Sequence, residues 1–196
     1  MLTFYHAPMS RSDTTFWLLE EMDVPYQMEI VDIRAQGGAP ESYRAIQPNK
    51  KAPAIDHDGV IITERAAIAA YLCDAFPGAG LAPPIGDPLR GPYLSWLVYV
   101  DSVMDPVMVA HSQGWSYPSI GVSYGLYDDM VRNVEATLAK RDYAAGDRFT
   151  GADVSLSSAV NWALFAKMLP QTPTLRAYVE RTQARPGYKR MMAKRP

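Results

Sequence analysis

Two stretches of the chain set out side chains whose types and order could do chemistry: hydroxyls beside the start of a helix, and a proline turn flanked by charged residues. The first is "HAPMSRSDTTFW", in which Ser10 stands just ahead of the first helical pattern. A hydroxyl beside the positive end of a helix can donate to an anion without acting as a base. It can equally serve as that helix's N-cap. Ser12 is a second, weaker donor, and Tyr5 offers a phenol twelve residues before Trp17. The second stretch is "NKKAPAIDHDGVIITER", residues 49–65. Asp58-Gly59 marks a tight hairpin turn, and Pro53 stands at the mouth of its first strand. Proline has no N–H to give a ladder, so it belongs at edges, first residues or special turns. A turn there leaves the N–H and C=O of Ala52 free to receive an extended peptide by strand addition. Lys50 and Lys51 precede that turn and Glu64 and Arg65 follow the hairpin. They are either ligand contacts or ordinary solvated charges.

The elements that position these residues follow from periodicity and punctuation. "LTFY" reads as a strand, "SRSDTTFWLLEEM" as a helix with Phe16, Trp17 and Leu19 on its apolar face, and "YQMEIVDI" as a second strand after the break at "DVP". This makes a β-α-β unit, nearly always right-handed. A loop with a short helix, the hairpin and the helix "ERAAIAAYLCDAF" complete the order β-α-β, α, β-β, α, which matches a thioredoxin-like arrangement. "PGAGLAPPIGDP" is a Pro/Gly-rich linker. From Leu89 the pattern is helical only: a long helix bent near Pro106, "YGLYDDMVRNVEATLAK", then a helix opened by a capping signature with Thr150 as N-cap, Asp153 three residues on, and Phe149 and Val154 as a hydrophobic staple. Two short helices follow. The domains are therefore expected at 1–76 and 89–196, with the linker at 77–88.

Composition narrows the functional classes. The chain has 196 residues, 48% hydrophobic and 20% charged, with a net charge of −2, ordinary values for a soluble globular protein. With a pI of about 5.9, no global field would gather nucleic acid or anionic lipid, and the basic tail reads as a solvated last helix. The single cysteine, Cys73, excludes an intrachain disulfide, a Cys-X-X-Cys redox pair and a cysteine-built zinc site, and its helical surroundings predict a buried structural thiol. There is no signal-peptide pattern and no membrane span, so a soluble, cytoplasmic protein is expected.

Three motifs, in order and at these spacings, resemble the cytosolic glutathione transferases over nearly the whole chain: "PNKKAPAI", "TERAAIAAYL" and "AGDRFTGADV". The resemblance implies a thioredoxin-like glutathione-binding domain followed by an all-α helical bundle, with glutathione as co-substrate, no metal, and a homodimer with the "ERAAIAAYL" helix and the long helix near its interface. It implies that Pro53 follows a cis peptide bond, that Ala52 pairs the cysteinyl part of glutathione, and that Lys51 binds the glycyl carboxylate. Lys50 replaces the family's usual glycine. Glu64 resembles the acidic residue that pairs the glutathione ammonium, beside a helix N-terminus suited to the γ-glutamyl carboxylate. Arg65 stands where the family usually has serine and could clamp a carboxylate or face a partner subunit. Arg34 and Gln47 are possible helpers.

A free thiol has a pKa of about 8.5, so roughly 3% is thiolate at neutral pH, and the site must stabilise the charged form. Ser10 aligns with the catalytic serine of the plant phi-class enzymes and is the first expectation. Tyr5, spaced like the tyrosine of alpha-type enzymes, is the second. Ala7 and Arg11 stand where other classes carry a serine or cysteine, so those schemes look absent. The second substrate, a small hydrophobic electrophile, would meet Met9, Met104, Met108, His111, Trp115 and Tyr117 between the halves, although Met104 and Met108 at helical spacing also suit a core. The implied activity is conjugation of glutathione. A glutathione-dependent isomerase or peroxidase/disulfide reductase, and a non-catalytic ligand-binding or assembly module, are the alternatives.

Overall fold

The computed structural model describes residues 1–195. It contains two compact units: Met1–Ala79 joined by the chain from Pro186 onward, and Gly80–Arg185.

The first unit is built on a four-stranded sheet with strands β1 (Leu2–His6), β2 (Gln27–Ile30), β3 (Ala54–His57) and β4 (Val60–Thr63) in the order β2-β1-β3-β4. β1 and β2 are parallel and joined through helix α1 (Ser12–Met22), whereas β3 pairs antiparallel with both β1 and β4. This is the thioredoxin-like order expected from the sequence. Asp58 and Gly59 both have positive φ, 53° and 87°, between the paired residues His57 and Val60, the two-residue turn whose twist suits a hairpin. Alternation along β1 buries Leu2, Phe4 and His6 on one face. Tyr5, on the other face, packs on a small cluster of Val31, Ala39 and Tyr43. Helix α2 (Arg65–Ala75) contributes buried Ile68, Leu72 and Cys73 to the core, which agrees with the structural reading of that thiol.

The second unit is helical: α3 (Arg90–Tyr99), α4 (Asp105–Ser112), α5 (Tyr127–Leu138), α6 (Gly151–Phe165) and α7 (Pro173–Gln183). The long helix expected to bend near Pro106 is interrupted just before it by a π-helical turn, Val100–Met104, where the Asp105 N–H reaches Val100 O. Proline removes one helical donor and crowds the preceding turn, and a wider turn relieves that crowding. At the start of α6 the expected capping box is present. Asp153 accepts from the Thr150 N–H at 2.9 Å, the Ala144 N–H at 2.7 Å and the Tyr178 hydroxyl at 2.9 Å.

The last helix, α8 (Pro186–Lys194), differs from the expected division at 89–196. It joins the sheet unit by packing on α1. A Cβ on Gly187 would stand 2.7 Å from the Glu21 Cα, so only glycine allows this approach. Tyr188 meets the Trp17 ring edge-on at 4.9 Å. Buried Glu20 accepts from the Tyr26 hydroxyl at 2.7 Å and from Lys194 Nζ at 2.9 and 3.0 Å. A helical period reveals an apolar face but not which neighbour covers it. No helix among the described residues is long and apolar enough to cross a membrane.

Candidate functional site

Strand register assembles the site. Tyr5 lies opposite Ala54, and Ala54 opposite Thr63. The end of β1, the start of β3 and the end of β4 therefore share one end of the sheet. Three segments leave from that end: the loop Ala7–Arg11 into α1, the turn at Ala52–Pro53, and Glu64–Arg65 into α2. The sequence places these segments far apart; the antiparallel pairing of β3 with its neighbours brings them together, with two helix N-termini facing the same region.

The Ala52–Pro53 bond is cis, as the resemblance implied. The turn before it is held from beneath. The Tyr43 hydroxyl donates to Lys51 O at 3.1 Å, and buried Gln47 accepts through Oε1 from the N–H groups of Asn49 at 2.7 Å and Lys51 at 3.3 Å. Gln47 thus shapes the loop. Lys50 has φ +56°, the left-handed backbone that explains why glycine suits this position. Its ammonium is drawn away to Gly37 O at 3.1 Å and Glu41 at 3.4 Å. Lys51 projects into solvent. Glu64 is exposed at the start of α2, also with positive φ at 67°, and makes no side-chain cap there. Arg65 is buried, not presented to solvent beside it.

Ser10 sits half-buried in a dense cluster at the start of α1. Its hydroxyl donates to Ala7 O at 2.7 Å, lies 2.9 Å from Ser12 Oγ, and accepts the Ser12 N–H at 3.1 Å. Ser10 is not the N-cap, which is Arg11; its hydroxyl stands one residue ahead of it and accepts from the first residue of the helix. Ser12, the weaker alternative, is fully buried. Its Oγ accepts the Ala7 N–H at 3.0 Å and lies 2.9 Å from Ala7 O and 2.8 Å from His6 Nδ1. Across the His6 ring, Nε2 is 3.7 Å from Asp13 Oδ1. Burial lowers the His6 pKa, an effect that Asp13 opposes and Arg195 reinforces. Arg34, earlier a possible ligand contact, braces this loop: its guanidinium donates to Pro8 O at 2.9 Å and Met9 O at 2.7 Å.

Tyr5 lies on the opposite sheet face from His6, its ring 5.9 Å from that of Tyr43. Burial, then the charges of Asp56 and Glu29, raise the pKa of its phenol. The structure therefore separates the two proposed thiol activators. Among the second-substrate residues, Met104 and Met108 are buried core. His111 stacks on Tyr127 at 3.7 Å, Trp115 is exposed, and the Tyr117 hydroxyl donates to Gly125 O at 3.3 Å. Met9 is exposed on the loop before α1. His6, Asp13 and Tyr43 were missed from the sequence. Alternation from Leu2 and Phe4 would have placed His6 on the buried face, and that was the available signal.

Comparison with known proteins gives the family. Residues 8–75 match the glutathione S-transferase N-terminal domain and residues 128–186 the glutathione S-transferase C-terminal domain, together more than half of the chain. The chain is 27% identical over 172 residues to glutathione S-transferase 3 of Schizosaccharomyces pombe, covering 78% of this chain and 70% of the relative. It is 26% identical over 201 residues to the disulfide-bond oxidoreductase YfcG of Escherichia coli, covering 95% and 92%. Among solved structures, a glutathione transferase homologue from Sulfitobacter with bound glutathione superposes with a TM-score of 0.78 at 27% identity, covering 99% of this chain and 98% of that one.

Proposed function

Because the chain belongs to the glutathione S-transferase family, we propose that it binds glutathione on the sheet unit and transfers the thiolate sulfur to a small hydrophobic electrophile. The observation that carries this reading is the convergence of the Ala52–Pro53 turn and the starts of α1 and α2 at one end of the sheet. The backbone of Ala52 pairs the cysteinyl residue as an added strand would, which points its sulfur toward the start of α1. The γ-glutamyl carboxylate lies at the start of α2, with Glu64 pairing the ammonium and Lys51 the glycyl carboxylate. Ser10 donates to the sulfur beside the α1 dipole, stabilising thiolate over thiol. Tyr5 is the second choice. Pre-positioning the thiolate against the electrophile then lowers the entropic barrier to attack. We further propose that the enzyme works as a cytoplasmic homodimer.

The test is calorimetric titration with glutathione, paired with conjugation of an activated aryl halide by wild type and Ser10→Ala. Binding with a loss of about 10- to 100-fold in kcat/KM for the variant is expected. Absence of glutathione binding overturns the reading, and an unchanged variant transfers the role to Tyr5. The relative named as a disulfide-bond oxidoreductase supports a second reading, glutathione-dependent disulfide reduction. Cys73 is buried, so the sulfur in that reaction would be glutathione's own. Product analysis separates the two: conjugation leaves glutathione attached to the product, reduction yields its disulfide.

A further inference from the structure

The contacts behind Ser10 form a continuous line from the surface to a buried base: Ser10 Oγ to Ser12 Oγ at 2.9 Å, Ser12 Oγ to His6 Nδ1 at 2.8 Å, and His6 Nε2 facing Asp13 Oδ1 at 3.7 Å. His6 is fully buried, between the rings of Phe4 and Phe16 at 5.2 and 5.4 Å. Its Nε2 and the Asp13 Oδ1 are both buried without a hydrogen-bond partner among the described residues. Resting on the glutathione reading above, the geometry points to Ser12 and His6 as an internal proton acceptor for the glutathione thiol, with Ser10 as the entry and Asp13 as the counter-charge.

Counting protons decides this. A carboxylate facing Nε2 favours the tautomer with the ring proton on that nitrogen, which leaves Nδ1 as an acceptor. The two serine hydroxyls supply two protons: that of Ser10 goes to Ala7 O, and that of Ser12 has two acceptors in reach, Nδ1 at 2.8 Å and Ala7 O at 2.9 Å, of which this tautomer selects Nδ1. A thiolate arriving at Ser10 would find no donor. Once Nδ1 carries a proton it becomes a donor to Ser12 Oγ. Ser12 can then turn to Ala7 O, 2.9 Å away, and the Ser10 proton is released to the sulfur. The proton that must leave the thiol is therefore the one that frees a donor for the thiolate.

The step balances without any further reactant. The S–H bond breaks and its electron pair stays on sulfur. The Ser10 hydroxyl turns from Ala7 O to Ser12 Oγ, 2.9 Å away; Ser10 Oγ takes the thiol proton as its own passes to Ser12 Oγ, and the Ser12 proton passes to the Nδ1 lone pair. The products are thiolate and imidazolium. The charged groups facing His6 are Asp13 on α1, which favours the imidazolium, and Arg195, which is ion-paired with Asp13 and opposes it. Burial keeps His6 neutral before glutathione arrives, and the negative charge that then forms on the sulfur, together with Asp13, has to outweigh that burial for the imidazolium to keep its proton. Ser12, His6 and Asp13 act through Ser10 and are positioning residues.

The experiment is proton counting. Glutathione is titrated calorimetrically near neutral pH in two buffers of different ionisation enthalpy, with S-methylglutathione as the control lacking the thiol. Thiolate is quantified by its ultraviolet difference absorbance. Wild type is expected to form thiolate with almost no matching proton release. Ser12→Ala should lose the thiolate signal near neutral pH, or form it only with one proton released for each thiolate, and Ser12→Thr should restore wild-type behaviour. One proton released per thiolate in wild type overturns the relay while leaving the glutathione reading intact, a result that does not depend on any variant folding. Binding with no thiolate signal also overturns the relay alone. Failure to bind glutathione overturns both.

Discussion

The N-termini of α6 and α1 are both built from hydroxyl and carboxylate side chains, and they are finished differently. At α6 the two capping side chains, Thr150 and Asp153, are closed on fixed partners. Thr150 accepts the Ala152 N–H, and Asp153, with no exposed surface, accepts from Thr150, Ala144 and Tyr178. Only one arrangement of protons satisfies that set. At α1, by contrast, the N-cap residue Arg11 makes no side-chain cap, two serine hydroxyls share the Ala7 carbonyl while an imidazole meets one of them, and His6 Nε2 and Asp13 Oδ1 are buried without a hydrogen-bond partner among the described residues. A closed network holds a fold, whereas an incomplete one can change its proton positions when a ligand arrives. The difference separates a structural cap from a site.

The largest effect should come from breaking the closed end. Asp153→Ala removes the carboxylate from four buried donors, the Ala144 and Thr150 N–H groups and the Thr150 and Tyr178 hydroxyls, and should cost about 3–5 kcal/mol by denaturant titration. A cost below that of a simple cap would show the network to be looser than drawn. Ser10→Ala is the converse, with a loss of about 10- to 100-fold in kcat/KM and little change in melting temperature; a large fall in melting temperature would make Ser10 structural like Asp153. Next comes pH. The pKa of folded His6 is lowered, by burial first, so the unfolded chain binds the proton more readily. Its contribution to stability should be fully present above a pH of about 6.5 and lost as pH falls from there toward the folded value. Melting temperatures across that window should flatten in His6→Asn, and an unchanged slope would show that His6 is not the group responsible. The smallest effect should be Thr150→Ala, about 1 kcal/mol of stability, because Asp153 keeps its other partners; a loss as large as that of Asp153→Ala would mean that the box acts as one unit.

Much of this contrast was legible in the sequence, but unevenly. "FTGAD" announces its own structure because a capping box is local: Thr150 and Asp153 are three residues apart and satisfy each other. The hairpin at Asp58-Gly59 and the special role of Pro53 were readable for the same reason. The relay was not, since His6 and Ser12 approach only after β1 and α1 have packed. Tyr43 and Gln47 likewise act on a loop whose shape no spacing reveals, and Arg34 reads as a ligand contact until the loop it braces is seen. Met104 and Met108 had helical spacing that suited core or binding surface alike, and packing made them core.

The return of α8 to α1 also bears on how the chain is made. The sheet unit is discontinuous, interrupted by the whole of Gly80–Arg185. During synthesis, residues 186–195 appear only after the helical unit has emerged, and domains tend to fold in order of emergence. Here the second unit has all its residues before the first does. Until α8 docks, Glu20 lacks the ammonium of Lys194, and the Trp17 ring lacks Tyr188. A fragment ending at Ala79 would therefore hold the nascent form of the sheet unit. Restoring 186–195 in trans should complete it, in the manner of a split protein.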